Sequence, residues 1–550
     1  MLTNSICFFF QVGDTIFFPF VYKRSTGDIF KFLGLGDDTA DVLPSVLKDY
    51  WYMVIVWILL IVLTYVMYTF TGRKSIKNSK TEQKHPVTSF TVASYLVFLG
   101  LIVMGCRGGW QLKSIDTVDA SDLAPPHDIP LVMNSPFSIL ITYYRPVLED
   151  KKLTKKTDAV KHYSPIHNPS KGNFRRLNVV TIIMESMSKE YIGALNNRHH
   201  THTPFLDSLI SQSLIFDDAY SDGKKSIEGI PAVVASLPSW MNTAFITSPY
   251  SDDQVTCLAG LLKQEGYRTA FFHGGHEGTM GFDLFCKKGG FDYYYGKKSY
   301  NNDADYDGYW GIRDEPFFQY FAKELDTIRQ PFYAAIFSIS SHHPFILPEK
   351  YKKIFVQKKG DLPIMRCIEY SDYSLKKFFE AASKMPWYDS TIFVITADHT
   401  GPSLDPFYSN RLGMYQVPII YYMPHSNLKG KSHITTQQVD IMPSVLDYIH
   451  YPEAYFSFGS SVFDSTLTDH YAINYLNDVY QIQKYPWCLQ MVGNKVQAFY
   501  NYQTDSLLQN NLMDKSIKAQ DTLSGILRKV VETYNYSVIH NQMKMKKGGI

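Results

Sequence analysis

Two hydrophobic patterns divide the chain. Over about the first hundred residues the apolar positions fall in long unbroken runs, and from Leu177 onward they fall in short runs separated by helix-length polar stretches. Residues 51–70 carry no charge and have aromatic residues at both ends, which is the ~20-residue length and interfacial dressing of a spanning helix. Residues 87–106 form a second such run. A third, 5–21, is strongly apolar but holds Asp14; it reads equally as a membrane segment or as an interfacial piece, and no small-residue cleavage site follows it. Arg73, Lys74, Lys77, Lys80 and Lys84 stand against Glu82 between the two clear runs. The positive-inside bias therefore puts that connection in the cytoplasm and everything after about Arg107 outside it. Residues 1–106 are then a multi-pass membrane region. Residues 107–174, polar and punctuated by prolines such as Pro125 and Pro126, are a juxtamembrane linker with some local helix.

From Leu177 the pattern predicts strands at 178–184, 268–273, 332–339, 391–397 and 417–422, and helices at 203–213, 254–265, 314–326, 369–384 and 437–449. Alternating strands and helices imply an α/β fold, a mostly parallel sheet covered by helices on both faces. This domain spans 175–455. Residues 456–550 are rich in Tyr, Asn and Gln, with strand-like pieces at 487–492 and 495–500 and a helix at 516–534. They read as a small C-terminal α+β subdomain without chemistry of its own.

Composition narrows the function. The 550 residues exceed one ordinary domain. A net charge of +2 gives no electrostatic footprint for nucleic acid. Six scattered cysteines, without C-x-x-C or zinc-type spacing, make neither a disulfide scaffold nor a zinc module.

In parallel sheets ligands gather at the carboxyl ends of the strands. Strand 178–184 ends in Glu185-Ser186, strand 268–273 in His273-Gly274, strand 332–339 in Ser341-His342-His343, and strand 391–397 in Asp398-His399. Between the first two lies the turn Gly223-Lys224-Lys225-Ser226. Singly these have plain explanations: a strand-end acid is most often a cap or salt-bridge partner, a turn serine a helix cap, His273 a packed histidine, and Lys224 and Lys225 solvated surface lysines. Together they place oxygen and nitrogen ligands for Mn²⁺, Mg²⁺ or Zn²⁺ on one rim. They also place there a hydroxyl that such an ion would activate, and histidines for the oxygens of a phosphoryl or sulfuryl group.

At these residues the chain resembles the alkaline phosphatase superfamily and, within it, the lipoteichoic acid synthase family of membrane-anchored phosphoglycerol transferases. The resemblance covers about residues 175–450. It rests on Met184-Glu185-Ser186, Thr203-Pro204-Phe205-Leu206-Asp207, Gly223-Lys224-Lys225-Ser226, Phe272-His273-Gly274, Trp310-Gly311-Ile312-Arg313-Asp314-Glu315, Ser341-His342-His343-Pro344 and Ala397-Asp398-His399, in that order. It implies that Glu185, Asp398, His399 and Ser226 hold one divalent metal, typically Mn²⁺ or Mg²⁺, with Zn²⁺ as an alternative. Ser226 is then also the nucleophile, and His342, or its neighbour His343, binds substrate. The implied partners are a phospholipid headgroup donor and a cell-envelope glycan or lipid acceptor, at the bacterial plasma membrane, with the catalytic domain extracytoplasmic.

The chain departs from the family in three ways. Serine stands where the family has a nucleophilic threonine. The segment Gly278-Thr279-Met280-Gly281-Phe282-Asp283 lacks the Trp and Arg with which lipoteichoic acid synthases contact glycerol phosphate. Two or three membrane segments stand where the family usually has five. The residues after Ser226, Ile227-Glu228-Gly229-Ile230, have neither the Pro nor the Arg of the motif that matures into a sulfatase's formylglycine. Phosphoethanolamine transfer, and phosphodiester or sulfate ester hydrolysis, are the alternative activities. A pseudoenzyme would show a broken ligand set, and a transporter would show more polar groups in its membrane segments.

Overall fold

Seven consecutive buried residues, Asn178–Met184 (β1), form the central strand of an eight-stranded sheet in the computed structural model. The structure describes residues 1–32, 38–78, 88–107, 110, 117–144, 147–155, 158, 163–196 and 201–545. The other strands of this sheet are Leu214–Tyr220 (β2), Arg268–His273 (β3), Tyr293–Tyr295 (β4), Phe332–Phe337 (β5), Thr391–Ala397 (β6), Ile419–Tyr422 (β7) and Gly430–Gln437 (β8). Their spatial order is β4-β3-β5-β1-β6-β7-β2-β8. All neighbours run parallel except β7, which is antiparallel to both β6 and β2. β1, β5 and β6 are buried throughout, as expected of parallel strands covered on both faces, and their branched and aromatic side chains suit that setting.

Register decides what meets at the rim. Ile183 pairs with Phe337 of β5, and Met184 pairs with Ala397 of β6. The residues that follow these three strands therefore emerge side by side.

Strands 178–184, 268–273 and 391–397 form as predicted. The strand predicted at 332–339 stops at Phe337, because Ile339 and Ser340 turn their amides to the Asp314 carboxylate. The strand predicted at 417–422 begins at Ile419. The helix predicted at 369–384 is Pro363–Ala382, starting at a proline suited to the first helical turn. The helices predicted at 203–213, 254–265, 314–326 and 437–449 are Pro204–Ile210, Leu258–Gln264, Asp314–Thr327 and Ile441–Tyr448.

At the C-terminus, Ala472–Leu476 (β9), Val479–Lys484 (β10), Trp487–Val492 (β11) and Lys495–Asn501 (β12) form an antiparallel four-stranded sheet in sequence order, and helix Lys518–Ile539 follows. Ile473, Leu489, Phe499, Leu527 and Tyr534 share one apolar core with residues beneath the main sheet such as Val179, Ile230 and Trp240.

The chain divides into two compact units, Met1–Gly27 with Leu47–Tyr144, and Asp28–Val46 with Arg145–Ile550. In the first, helices Leu2–Val21 and Trp51–Phe70 are long and apolar enough to cross a membrane. The segment at 5–21 is thus a continuous helix. Its Asp14 is buried and accepts hydrogen bonds from Ser25 N at 3.0 Å and from the Ser25 and Ser135 hydroxyls. The run at 87–106 forms helix Ser89–Arg107, whose apolar part Ser89–Gly105 is shorter than the other two. The side chains from Arg73 to Lys84, on which the predicted orientation rests, lie outside the described residues.

Candidate functional site

Where β1 ends, Glu185 N donates to Ser338 Oγ at 2.8 Å, and Ser186 turns into the left-handed region at φ 55°. That turn aims Ser186 N at Asp398 Oδ1, 2.8 Å away, and His399 N donates to the same oxygen at 2.7 Å. Asp398 Oδ1 is thereby satisfied by two main-chain donors. Oδ2 is buried without a hydrogen bond, 3.2 Å from His399 Nε2. His399 Nδ1 lies 2.9 Å from Thr400 O. A proton on Nδ1 leaves the Nε2 lone pair for another partner, the usual arrangement behind a metal-ligating histidine. Ligand atoms of Glu185, Asp398 and His399 all lie within 4.8 Å of one another.

Ser226 is the first residue of helix Ser226–Ala235, with Lys225 rather than the serine as its N-cap. Its hydroxyl donates to Glu185 Oε2 at 3.3 Å. The helix reaches the strand ends because Gly229 has no side chain: a Cβ there would stand 2.1 Å from Asp398 O. His342 Nε2 approaches the same Glu185 Oε2 at 3.1 Å, its ring stacked on Trp310 at 4.4 Å between centroids. His343 turns its ring edge-on to Phe345, and its carbonyl accepts Trp310 Nε1 at 2.7 Å. Of the two adjacent histidines, His342 is the one whose ring stands at the carboxylate. His273 is packed as expected, stacked on Phe337, and burial pushes its pKa down to about 4.

The electrostatics suit a cation. Burial pushes the Asp398 carboxyl well above the usual range, and the neighbouring Glu185 carboxylate adds to it. Glu185 is also penalised by burial, but His342 and His399 outweigh this and hold it below the usual range. His342 is raised by Glu185 against the effect of burial, and burial lowers His399. Two carboxylates sharing one buried space, an oxygen without a donor and an imidazole nitrogen facing inward together fit a divalent ion, which relieves the repulsion between them.

The sequence pattern puts Lys224 at the surface and does not single out Gln438 or Asn474. Lys224 is not a solvated surface lysine: it is only 3% exposed, with Nζ 2.5 Å from Thr400 Oγ1 and 3.0 Å from Met414 O. The turn before Ser226 folds over the loop that follows His399, and burial pushes this ammonium down to about 7. Gln438 bridges Asp222 N and Asp398 O, 2.9 Å from each. Asn474, in the subdomain read as free of chemistry, donates to Ser221 O at 2.6 Å and so supports the same turn. Lys225 is part-exposed, and no local signal marks Gln438 or Asn474.

Residues 177–451 match the sulfatase family. The chain is 25% identical to lipoteichoic acid synthase 1 of Bacillus subtilis over 384 residues, 65% of this chain and 58% of that one. It is also 25% identical to phosphoglycerol transferase I of Salmonella arizonae over 238 residues, 41% of this chain and 31% of that one. It spans about half the length of the curated relatives it matches. A Vibrio parahaemolyticus protein of the alkaline phosphatase superfamily superposes with a TM-score of 0.60 at 24% identity, over 69% of this chain and 91% of that one. Lipoteichoic acid synthase LtaP of Listeria monocytogenes superposes at 0.57 and 18% identity, over 68% and 96%. The fold is therefore that of the alkaline phosphatase superfamily, and the chain belongs to the sulfatase family, among its members that resemble lipoteichoic acid synthases and phosphoglycerol transferases.

Proposed function

We propose that the domain is a metal-dependent transferase that moves a phosphoglycerol-type group from a phospholipid to a hydroxyl of a cell-envelope glycan or lipid. The observation that carries this is the convergence of Ser226 Oγ and His342 Nε2 on one oxygen, Glu185 Oε2, at 3.3 and 3.1 Å. It supports roles for Ser226 as the nucleophile and for His342 as the imidazole that meets the phosphoryl oxygens. Glu185, Asp398, His399 and Ser226 would hold the ion, and the oxygen-rich set suits Mn²⁺ or Mg²⁺, with Zn²⁺ as the alternative. Such an ion, when bound, supplies positive charge to phosphoryl oxygens and favours the ionised form of a neighbouring hydroxyl.

In the first half-reaction Ser226 Oγ forms a bond to the donor phosphorus, and the bond from phosphorus to the diacylglycerol oxygen breaks. The proton given up by Ser226 Oγ is made good on that oxygen, which leaves as diacylglycerol, while the phosphoglyceryl group stays on the serine. In the second half-reaction the acceptor hydroxyl attacks the same phosphorus and Ser226 Oγ is released with its proton. His342, held flat by Trp310, donates from Nε2 to a phosphoryl oxygen in both halves. Helix Ser226–Ala235 starts at the nucleophile and adds its N-terminal dipole. The helices of the first unit anchor this chemistry at a bacterial plasma membrane, on its outer side.

Without that Trp and Arg, residues 278–283 do not single out phosphoglycerol, so phosphoethanolamine is kept as the alternative donor group. The test is to offer the reconstituted full chain and its Ser226→Ala variant phosphatidylglycerol and phosphatidylethanolamine with Mn²⁺. Turnover of one lipid by the wild type, lost by about a thousandfold in the variant, is expected. Equal turnover by Ser226→Ala would remove the nucleophile assignment, and turnover of neither lipid would remove the lipid donor.

A further inference from the structure

The loop that carries His342 continues into a segment that the chemistry above does not use. Phe345 N returns to His342 O at 2.9 Å, and Arg366 Nη2 holds Phe345 O at 2.9 Å. Leu347 and Tyr351 are buried against Cys367 and Tyr370 of helix Pro363–Ala382, and Phe355 packs on the same cluster. One side of residues 345–356 is thus fixed to the domain. Other apolar side chains of the same segment are open: Ile354 is 65% exposed, Val356 59% and Ile346 36%.

The same stretch is rich in lysine. Lys350, Lys352, Lys353, Lys358 and Lys359 are all exposed, against only Glu349 and Asp361. That surplus, in a short stretch, exceeds the +2 of the whole chain. Lys352 pairs with Glu349, and Lys350 reaches Glu315 at 3.5 Å. Lys353, Lys358 and Lys359 make no ion pair among the described residues. Exposed isoleucine and valine side chains on a lysine-rich segment are a poor surface to leave in water, and an acidic partner protein would not need the apolar tips. Apolar side chains that enter the headgroup layer, with ammonium groups at the level of lipid phosphates, are what an anionic bilayer surface accepts.

We propose that residues 346–359 are a docking surface for an anionic bilayer, which seats the His342 side of the site against lipid headgroups. Its purpose rests on the lipid-donor reading above, whereas the contact itself does not. A photo-crosslinking benzoylphenylalanine in place of Ile354, in the full chain reconstituted in phosphatidylcholine vesicles with or without phosphatidylserine, reads the contact directly. Crosslinks to lipid that increase with phosphatidylserine are expected. Crosslinks to protein, or none, would overturn the proposal.

The double variant Ile354→Asp/Val356→Asp reads the consequence. Its kcat/KM should fall about tenfold with long-chain phosphatidylglycerol in vesicles and stay unchanged with a short-chain, water-soluble phosphatidylglycerol. A fall with both donors, or with neither, would overturn the docking role. If the wild type turns over neither form of phosphatidylglycerol, the phosphoglycerol reading fails while the crosslink still decides the docking surface.

Discussion

The side-chain amide of Gln438 donates to the main-chain carbonyl of Asp398 at 2.9 Å. The same nitrogen reaches Ala397 O at 2.6 Å, and Oε1 accepts Asp222 N at 2.9 Å. One buried side chain thereby ties the turn carrying Ser226 to the strand end carrying two of the proposed metal ligands. Gln438→Ala removes the partner of Asp222 N and of Asp398 O, at about 1–3 kcal/mol for each. We expect a lower melting temperature and a fall in kcat of about 10–100-fold with KM little changed, as when a ligand's support is removed. Initial rates and thermal melts of the variant check both, and an unchanged kcat would make Gln438 merely structural.

Gly229 sets the approach of the helix that begins at Ser226. A methyl group at this position meets Asp398 O at 2.1 Å, and both atoms belong to rigid elements. Gly229→Ala should therefore cost about 2–3 kcal/mol by overpacking, and should lower activity even at temperatures where the protein stays folded. Thermal melting with rates measured well below the midpoint separates the two effects. A variant as stable and as active as the wild type would show that the helix sits farther from the strand end.

Much of this arrangement was legible in the sequence because parallel strands, buried on both faces, write themselves as unbroken apolar runs. The polar residue that ends each run then marks the rim, and Glu185, Asp398 and His399 all stand at such ends. What the sequence hid is of a different kind. β2 holds Asp217 and Asp218, and β8 begins Gly-Lys-Ser-His, so neither shows a continuous apolar run. Lys224 looked like a surface residue because its burial depends on a loop 176 positions away. Gln438 and Asn474 act on main-chain groups 40 to 253 positions distant along the chain, and a glutamine's reach is not written in its neighbours.

A buried carboxylate away from the site gives a pH dependence of known sign. Asp372 accepts Phe205 N and Leu206 N, each at 2.9 Å, at the start of helix Pro204–Ile210, and burial pushes its pKa up to about 7. The folded state thus holds this proton between about pH 4 and pH 7, where the unfolded chain has released it. Stability from this group is greatest below the unfolded value and declines as pH rises towards 7, by about 1.4 kcal/mol per pH unit at most. Asp372→Asn cannot ionise, so its stability should decline less over that range than the wild type's. The variant should be the less stable protein near pH 5, having lost one acceptor, and the gap should narrow near pH 8. Denaturant unfolding at the two pH values measures this, and a gap that widens with pH would contradict the assignment.

Asp398 offers the sharpest separation of metal binding from folding. Its Oδ1 is committed to Ser186 N and His399 N, whereas Oδ2 has no hydrogen bond and faces Glu185 and His399. In Asp398→Asn the amide oxygen keeps both main-chain donors, and the amide nitrogen replaces the one oxygen suited to a cation. The fold should survive, and in metal-free solution the variant should melt no lower than the wild type, because a buried carboxyl beside Glu185 is gone. Adding Mn²⁺ should raise the wild-type melting temperature, by the equivalent of about 2.7 kcal/mol at a hundredfold excess over Kd, and a chelator should reverse it. The variant should respond to neither. Differential scanning fluorimetry with and without Mn²⁺ reads this without any substrate, and an equal Mn²⁺ response in Asp398→Asn would place the ion somewhere other than this cluster.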